Sequence, residues 1–212
     1  MGPQPLFNDL EITDRLSIVA DGQTWLTGYL DALGDDGFDG PSLLPDWKRR
    51  HVIAHIGYNA RGLGRLVDWA TTGIETPMYP SAQARATEID EGAQASPCVL
   101  REFVAASAAE LTAKWRVLPW EAWQATVRVV SGAEVPASAT LWMRAKEVWI
   151  HTVDLGTGAT FAEFPRAVLN QLLTDIPETP LTGPAAGVVR WATGRGADEL
   201  ETAPDFDPPA WM

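Results

Sequence analysis

One stretch restricts the fold more than any other: Thr140-Leu-Trp-Met-Arg-Ala-Lys-Glu-Val-Trp-Ile-His-Thr-Val-Asp-Leu155, closed by Gly156. At 100° per residue it reads as a helix with Leu141, Ala145, Val148, Thr152 and Leu155 on one face. Arg144, Glu147 and His151 form a second stripe along the border of that face. A carboxylate and an imidazole four residues apart point the same way. At that depth neither can stay unpaired without a large desolvation cost. Glu-x-x-x-His on a half-buried stripe is half of a metal site, so the fold must supply the other half from a different element.

The remaining apolar periodicity says which elements are available. Leu16, Val19, Ala20, Leu26, Leu30 and Leu33 recur at helical spacing after Thr13, a candidate N-cap, and the run stops at Gly34-Asp-Asp-Gly37. After Pro45-Asp46 a second helix, with Val52, Ile56, Ala60, Leu63, Val67 and Ala70 on its face, runs to about Gly73. Ser81 caps a short polar helix. Ser96-Pro97 opens a third long helix carrying Leu100, Phe103, Val104, Leu111 and Trp115. Thr126 to Pro136 reads as a small hairpin or extended loop. Short helices are expected from Pro165 to Asp175 and from Ala185 to Thr193. Four long amphipathic helices with modest connections define a mainly α fold, a four-helix bundle of the kind that builds metal sites from inward side chains. The bundle is expected over residues 1–160, with residues 161–212 as a reduced C-terminal region.

Only three histidines exist, His51, His55 and His151. On the second helix His55 lies at the border of the apolar face with Asn59, and His51 is turned further toward solvent. His55 is therefore the favoured third ligand and His51 the weaker candidate. With Glu147 and His151 it makes a two-histidine, one-carboxylate set, which suits zinc with one open position and equally suits non-haem iron. Arg144 is expected to pair with a nearby acid, Asp154 to be a surface acid in the last turn, and Cys98 to be buried and inert. Arg195, in a Gly-Arg-Gly turn, is a solvated loop charge or a guanidinium that meets a bound carboxylate.

Composition excludes several classes of partner. A net charge of −12 disfavours nucleic acid and anionic membranes, and no apolar run approaches a membrane span. The N-terminus lacks a basic start and an apolar core, so no signal peptide is expected. A single cysteine rules out an internal disulfide and fits a reducing cytoplasm. Thiol chemistry beyond one sulfur would need a thiol from outside.

Four segments together resemble a known family: Trp47-Lys-Arg-Arg-His-Val-Ile-Ala-His-Ile-Gly-Tyr-Asn-Ala60, Glu75-Thr-Pro-Met-Tyr79, Val135-Pro-Ala-Ser138 and Leu141-Trp-Met-Arg-x-x-Glu-Val-Trp-Ile-His-x-Val-Asp-Leu-Gly156. They are similar to the mycothiol-dependent maleylpyruvate isomerases, a family of the DinB-like metal-binding bundles. The resemblance resumes at Gly187-Val-Val-Arg-Trp-Ala-Thr-Gly-Arg-Gly-Ala-Asp198. It implies a DinB-like four-helix bundle with a small, truncated C-terminal α(+β) appendage. It also implies zinc on His55, Glu147 and His151, mycothiol as cofactor, and conversion of maleylpyruvate to fumarylpyruvate in aromatic degradation by reversible thiolate addition. Arg195 matches a family arginine that serves catalysis or substrate binding. Arg85 and Arg144 are further candidates for holding the substrate carboxylates. The segment from Ile176 to Pro184 is short for that family, so the appendage is expected to be reduced, and a homodimer is one way to complete the pocket. Two competing readings are a mycothiol S-transferase, which would consume thiol, and a non-catalytic bundle stapled by its metal.

Overall fold

A computed structural model describes residues 5–176 and 183–200. Seven α-helices are found among them: α1 (Ile12–Ala32), α2 (Arg49–Thr72), α3 (Ala82–Gly92), α4 (Pro97–Val117), α5 (Ala139–Asp154), α6 (Arg166–Asp175) and α7 (Ala185–Ala192). The hairpin forms as expected, with β1 (Thr126–Arg128) antiparallel to β2 (Glu134–Pro136) and Val127 opposite Val135. None of the described helices is long and apolar enough to cross a membrane.

The chain divides into two compact units. Val19–Thr157 holds the bundle, made of α1 from Val19 onward, α2, α4 and α5. The second unit combines the described residues up to Ile18 with those from Gly158 onward. In the bundle, α2 is central and packs on α3, α4 and α5. Its apolar stripe meets Leu26 and Leu30 of α1, Leu100 and Val104 of α4, and Phe38 and Leu155 in one buried cluster. Burying this set removes several large side chains from water, each worth about 1.5–3 kcal/mol. Ser81 and Ser96 cap α3 and α4 as expected, their hydroxyls accepting from the Ala84 and Val99 amides. Neither Ser138 nor Thr140 caps α5 in this way. The Thr140 hydroxyl instead donates to the Ala137 carbonyl at 2.6 Å and accepts from the Trp115 indole at 3.1 Å, which fixes the start of α5 against α4.

The other end of α5 is held from α2. Arg49, in the first turn of α2, donates through Nε to the Leu155 carbonyl at 2.6 Å and through Nη2 to the Gly156 carbonyl at 3.4 Å. These are orphan acceptors of a helix C-terminus, where a cation is also favoured by the dipole. Gly156 turns the chain away with a φ of 62°, a conformation other residues adopt at a cost.

In the second unit, α6 carries Val168 and Leu172 inward and its Gln171 accepts from the Asn8 amide at 3.1 Å. α7 contributes Val189 and Trp191 to a buried face. The described part of this unit contains helices and no strand. The expected contraction between Ile176 and Pro184 lies mostly outside the described residues.

Close approach of α1 to α5 depends on Gly22. A Cβ there would sit 2.6 Å from Val148 Cγ2 and 2.7 Å from Trp149 Nε1. Gly22→Ala is expected to destabilise the bundle by about 1–2 kcal/mol, overpacking outweighing the gain in helix propensity. Urea unfolding should show the midpoint fall with the slope unchanged.

Candidate metal centre

His55 of α2 meets Glu147 and His151 of α5 inside the bundle. Its Nε2 lies 2.9 Å from Glu147 Oε2, and His151 Nε2 lies 3.2 Å from the same oxygen. The three candidate ligand atoms fall within 4.8 Å of one another. All three residues are buried. Glu147 Oε2 and His151 Nε2 have no hydrogen bond of adequate geometry despite their closeness. Such atoms in a protein interior are costly unless something else joins them. Tetrahedral zinc-type bonds of about 2.0–2.1 Å place ligand atoms roughly 3.3 Å apart. The donor set, its spacing and its unmet lone pairs thus fit a divalent metal.

Each ligand is backed differently. His151 Nδ1 lies 2.7 Å from Asp154 Oδ2, and Asp154 is fully buried. The sequence-based expectation of a surface acid at Asp154 is therefore corrected: its carboxylate turns inward to His151, while its backbone carbonyl accepts from the Leu43 amide at 2.8 Å. His55 stands edge-on to Trp47, with ring centroids 5.6 Å apart, and its Nδ1 lies 3.4 Å from Nη2 of Arg85. His51 is not in the cluster; its Nδ1 accepts from the Lys48 amide at the start of α2.

Arg144 is 2 % exposed and makes no ion pair among the described residues, contrary to the pairing with an acid expected from sequence. Its Nη1 donates to the Ile56 carbonyl at 2.7 Å and to Asn59 Oδ1 at 3.2 Å, and its Nη2 donates to Gln23 Oε1 at 3.0 Å. One guanidinium thus ties α1, α2 and α5 together at the level of the cluster. Arg195 lies in the second unit, where its Nη1 donates to the Thr193 carbonyl and its amide to the Arg190 carbonyl at 2.9 Å. Arg190 anchors that turn through Asp198 and Glu199. Cys98 is exposed, with Glu102 3.6 Å away, rather than buried.

The electrostatics follow from these contacts. Burial opposes the Glu147 charge, but His55 and His151 outweigh it and hold its pKa well below the ordinary carboxylate range. Burial lowers the His55 pKa, with Glu147 offsetting only part of the effect. Burial would also lower that of His151, yet the hydrogen bond to Asp154 and the neighbouring charge of Glu147 push it up to about 9. Burial drops the Arg144 pKa to about 10, with Glu147 opposing.

A helical bundle with a buried two-histidine, one-carboxylate cluster has the architecture of the metal-binding helical bundles. The model of the mycothiol maleylpyruvate isomerase N-terminal domain matches residues 19–156, almost the same span as the compact bundle unit. A crystal structure of a mycothiol-dependent maleylpyruvate isomerase superimposes with a TM-score of 0.94 at 38% identity, covering 98% of this chain and 100% of that one. A histidine-to-alanine mutant of a mycothiol-dependent maleylpyruvate isomerase gives the same TM-score at 37% identity and the same coverage. No curated protein matches. The chain belongs to the mycothiol maleylpyruvate isomerase family, a family of isomerases with a DinB-like helical fold.

His151 is the candidate ligand whose folded pKa is raised, so a metal bound there would have to displace its proton. Loading with a divalent ion between pH 6.5 and 8.5 is expected to release about one proton, read by calorimetry in buffers of different ionisation enthalpy. Without metal, the stability contributed by charged His151 is full below about pH 6.5 and lost as pH rises through about 9. Asp154→Asn is expected to weaken metal binding about 10- to 100-fold.

Proposed function

We propose that this chain is a zinc- and mycothiol-dependent isomerase that converts maleylpyruvate to fumarylpyruvate, with His55, Glu147 and His151 holding the metal. The observation that carries the reading is the convergence of three buried ligand atoms, two of them without a hydrogen-bond partner. They lie in a chain that aligns almost end to end with a solved isomerase of that name. Two imidazoles and one carboxylate leave zinc a coordination position for an outside ligand, and a sulfur ligand favours zinc over the harder alternatives.

Zinc, when bound, supplies a Lewis acid that keeps a thiol ionised at neutral pH, and the thiol supplies a reversible nucleophile for a cis double bond. The chain's own residues do the rest. Asp154 accepts from His151 Nδ1 and so leaves the Nε2 lone pair facing the metal position. Arg144 holds α2 and α5 in register, which keeps His55 opposite Glu147 and His151, and in this reading it orders the site instead of touching substrate. The buried walls exclude water, which strengthens every charge interaction inside. Arg195 is assigned to the developing negative charge on the substrate, and Arg85 to a carboxylate.

The test follows the ultraviolet absorbance of maleylpyruvate with zinc-loaded protein, with and without mycothiol. Conversion that needs the thiol, leaves the free-thiol concentration constant and falls at least about 100-fold in His55→Ala is the expected result. Thiol consumed in step with product would make the chain a transferase, and no turnover by zinc-loaded protein would end the isomerase reading.

A further inference from the structure

The two histidine ligands differ in what stands behind them. His151 has the usual arrangement, a carboxylate on the nitrogen turned away from the metal position. His55 has the opposite one: Nη2 of Arg85, on α3, lies 3.4 Å from its Nδ1. A guanidinium carries only donors and keeps its charge at any accessible pH. An imidazole nitrogen that faces it must therefore present a lone pair, which places the proton of neutral His55 on Nε2. Nε2 is the atom 2.9 Å from Glu147 Oε2 and the one that must be bare to take a metal. Ligation through Nε2 moves the proton to Nδ1, and a donor then faces a donor. The Arg85–His55 contact and metal ligation by His55 exclude each other.

Arg85 is free to leave. Among the described residues it makes no ion pair, and its other contact is the face of the Tyr79 ring, 5.9 Å from guanidinium carbon to centroid. By contrast Arg49, Arg50 and Arg101 are each fastened by carbonyls or acids on neighbouring elements. Neighbouring Tyr79 is nearly buried, with a hydroxyl that has no hydrogen-bond partner. A half-buried cation without a counter-ion, at the rim of a metal centre and beside an unsatisfied hydroxyl, is a carboxylate receptor in its chemistry.

We propose that Arg85 is the carboxylate-binding residue of the site and that metal ligation by His55 releases it for that role. The order of events follows: metal first, then the anionic substrate, whose carboxylate takes the fork that His55 gives up. This rests on the isomerase reading for the identity of the substrate, though not for the competition with the metal.

The experiment uses the full-length chain and the variants Arg85→Met and Arg85→Lys. Zinc affinity is measured without substrate by competition with a chromophoric chelator, and KM and kcat for maleylpyruvate are then measured on zinc-saturated protein. Arg85→Met is expected to bind zinc about tenfold more tightly, because the donor opposing ligation is gone. It should also raise KM by about tenfold or more with a smaller change in kcat. A residue that merely props up His55 would do the reverse in the first arm and weaken zinc binding. Unchanged or weaker zinc affinity in Arg85→Met, or an unchanged KM, would overturn the proposal. Should that variant fail to fold, Arg85→Lys decides: its single ammonium is expected to leave zinc affinity near that of the parent and raise KM several-fold, for want of the fork. If the parent protein does not turn over maleylpyruvate, the functional reading fails separately. The carboxylate arm is then run as calorimetric binding of maleate to the zinc-loaded chains, where a loss in Arg85→Met supports the inference and equal binding ends it.

Discussion

A carboxylate buried between two imidazoles is the constraint on which the bundle depends. Glu147 can be ionised at that depth only because His55 and His151 face it, and breaking such a buried set typically costs 3–5 kcal/mol. The two helices that carry these groups must therefore keep a fixed register. Arg144 enforces it from inside, through Ile56, Asn59 and Gln23, and Arg49 enforces it from the end, through Leu155 and Gly156. Both arginines bond carbonyl oxygens, so they lock the helices without adding carboxylates that would compete for the metal.

That division of labour accounts for the contrast between the arginines near the site. Arg144 is enclosed and committed to three partners, which favours a positioning role over contact with substrate. Arg85 is half-buried, meets His55 and the Tyr79 ring, and makes no ion pair among the described residues. Arg195 sits in a turn organised by Arg190, Asp198 and Glu199, in the unit from Gly158 onward. Three guanidiniums alike in sequence are thus separated by their surroundings.

Much of the fold was legible in the chain. The 3.6-residue periodicity marks all four long helices, and Ser81 and Ser96-Pro97 mark two helix starts. The border position of His55 selects it over His51, and the i, i+4 pair on α5 points to the other two members of the buried cluster. What escaped depends on tertiary contacts. His151-x-x-Asp154 is spaced for a hydrogen bond on one helical face, but the burial of the acid follows from how the end of α5 packs in the bundle, which spacing does not show. Arg144 looks like half of an ion pair until Ile56 and Gln23 are seen to take its donors. Arg49 gave no local signal, because the carbonyls it caps are more than a hundred residues away. Cys98 at the start of an amphipathic helix reads as core, yet it lies on the outer face of α4.

The central claim, that His55, Glu147 and His151 hold zinc and leave one position for a thiol, is tested most directly by X-ray absorption at the zinc edge of the loaded protein, before and after adding mycothiol. The account predicts a shell of nitrogen and oxygen at about 2.0 Å, gaining one sulfur near 2.3 Å when the thiol is added. A shell that is unchanged by the thiol, or that survives intact in Glu147→Gln, would contradict it.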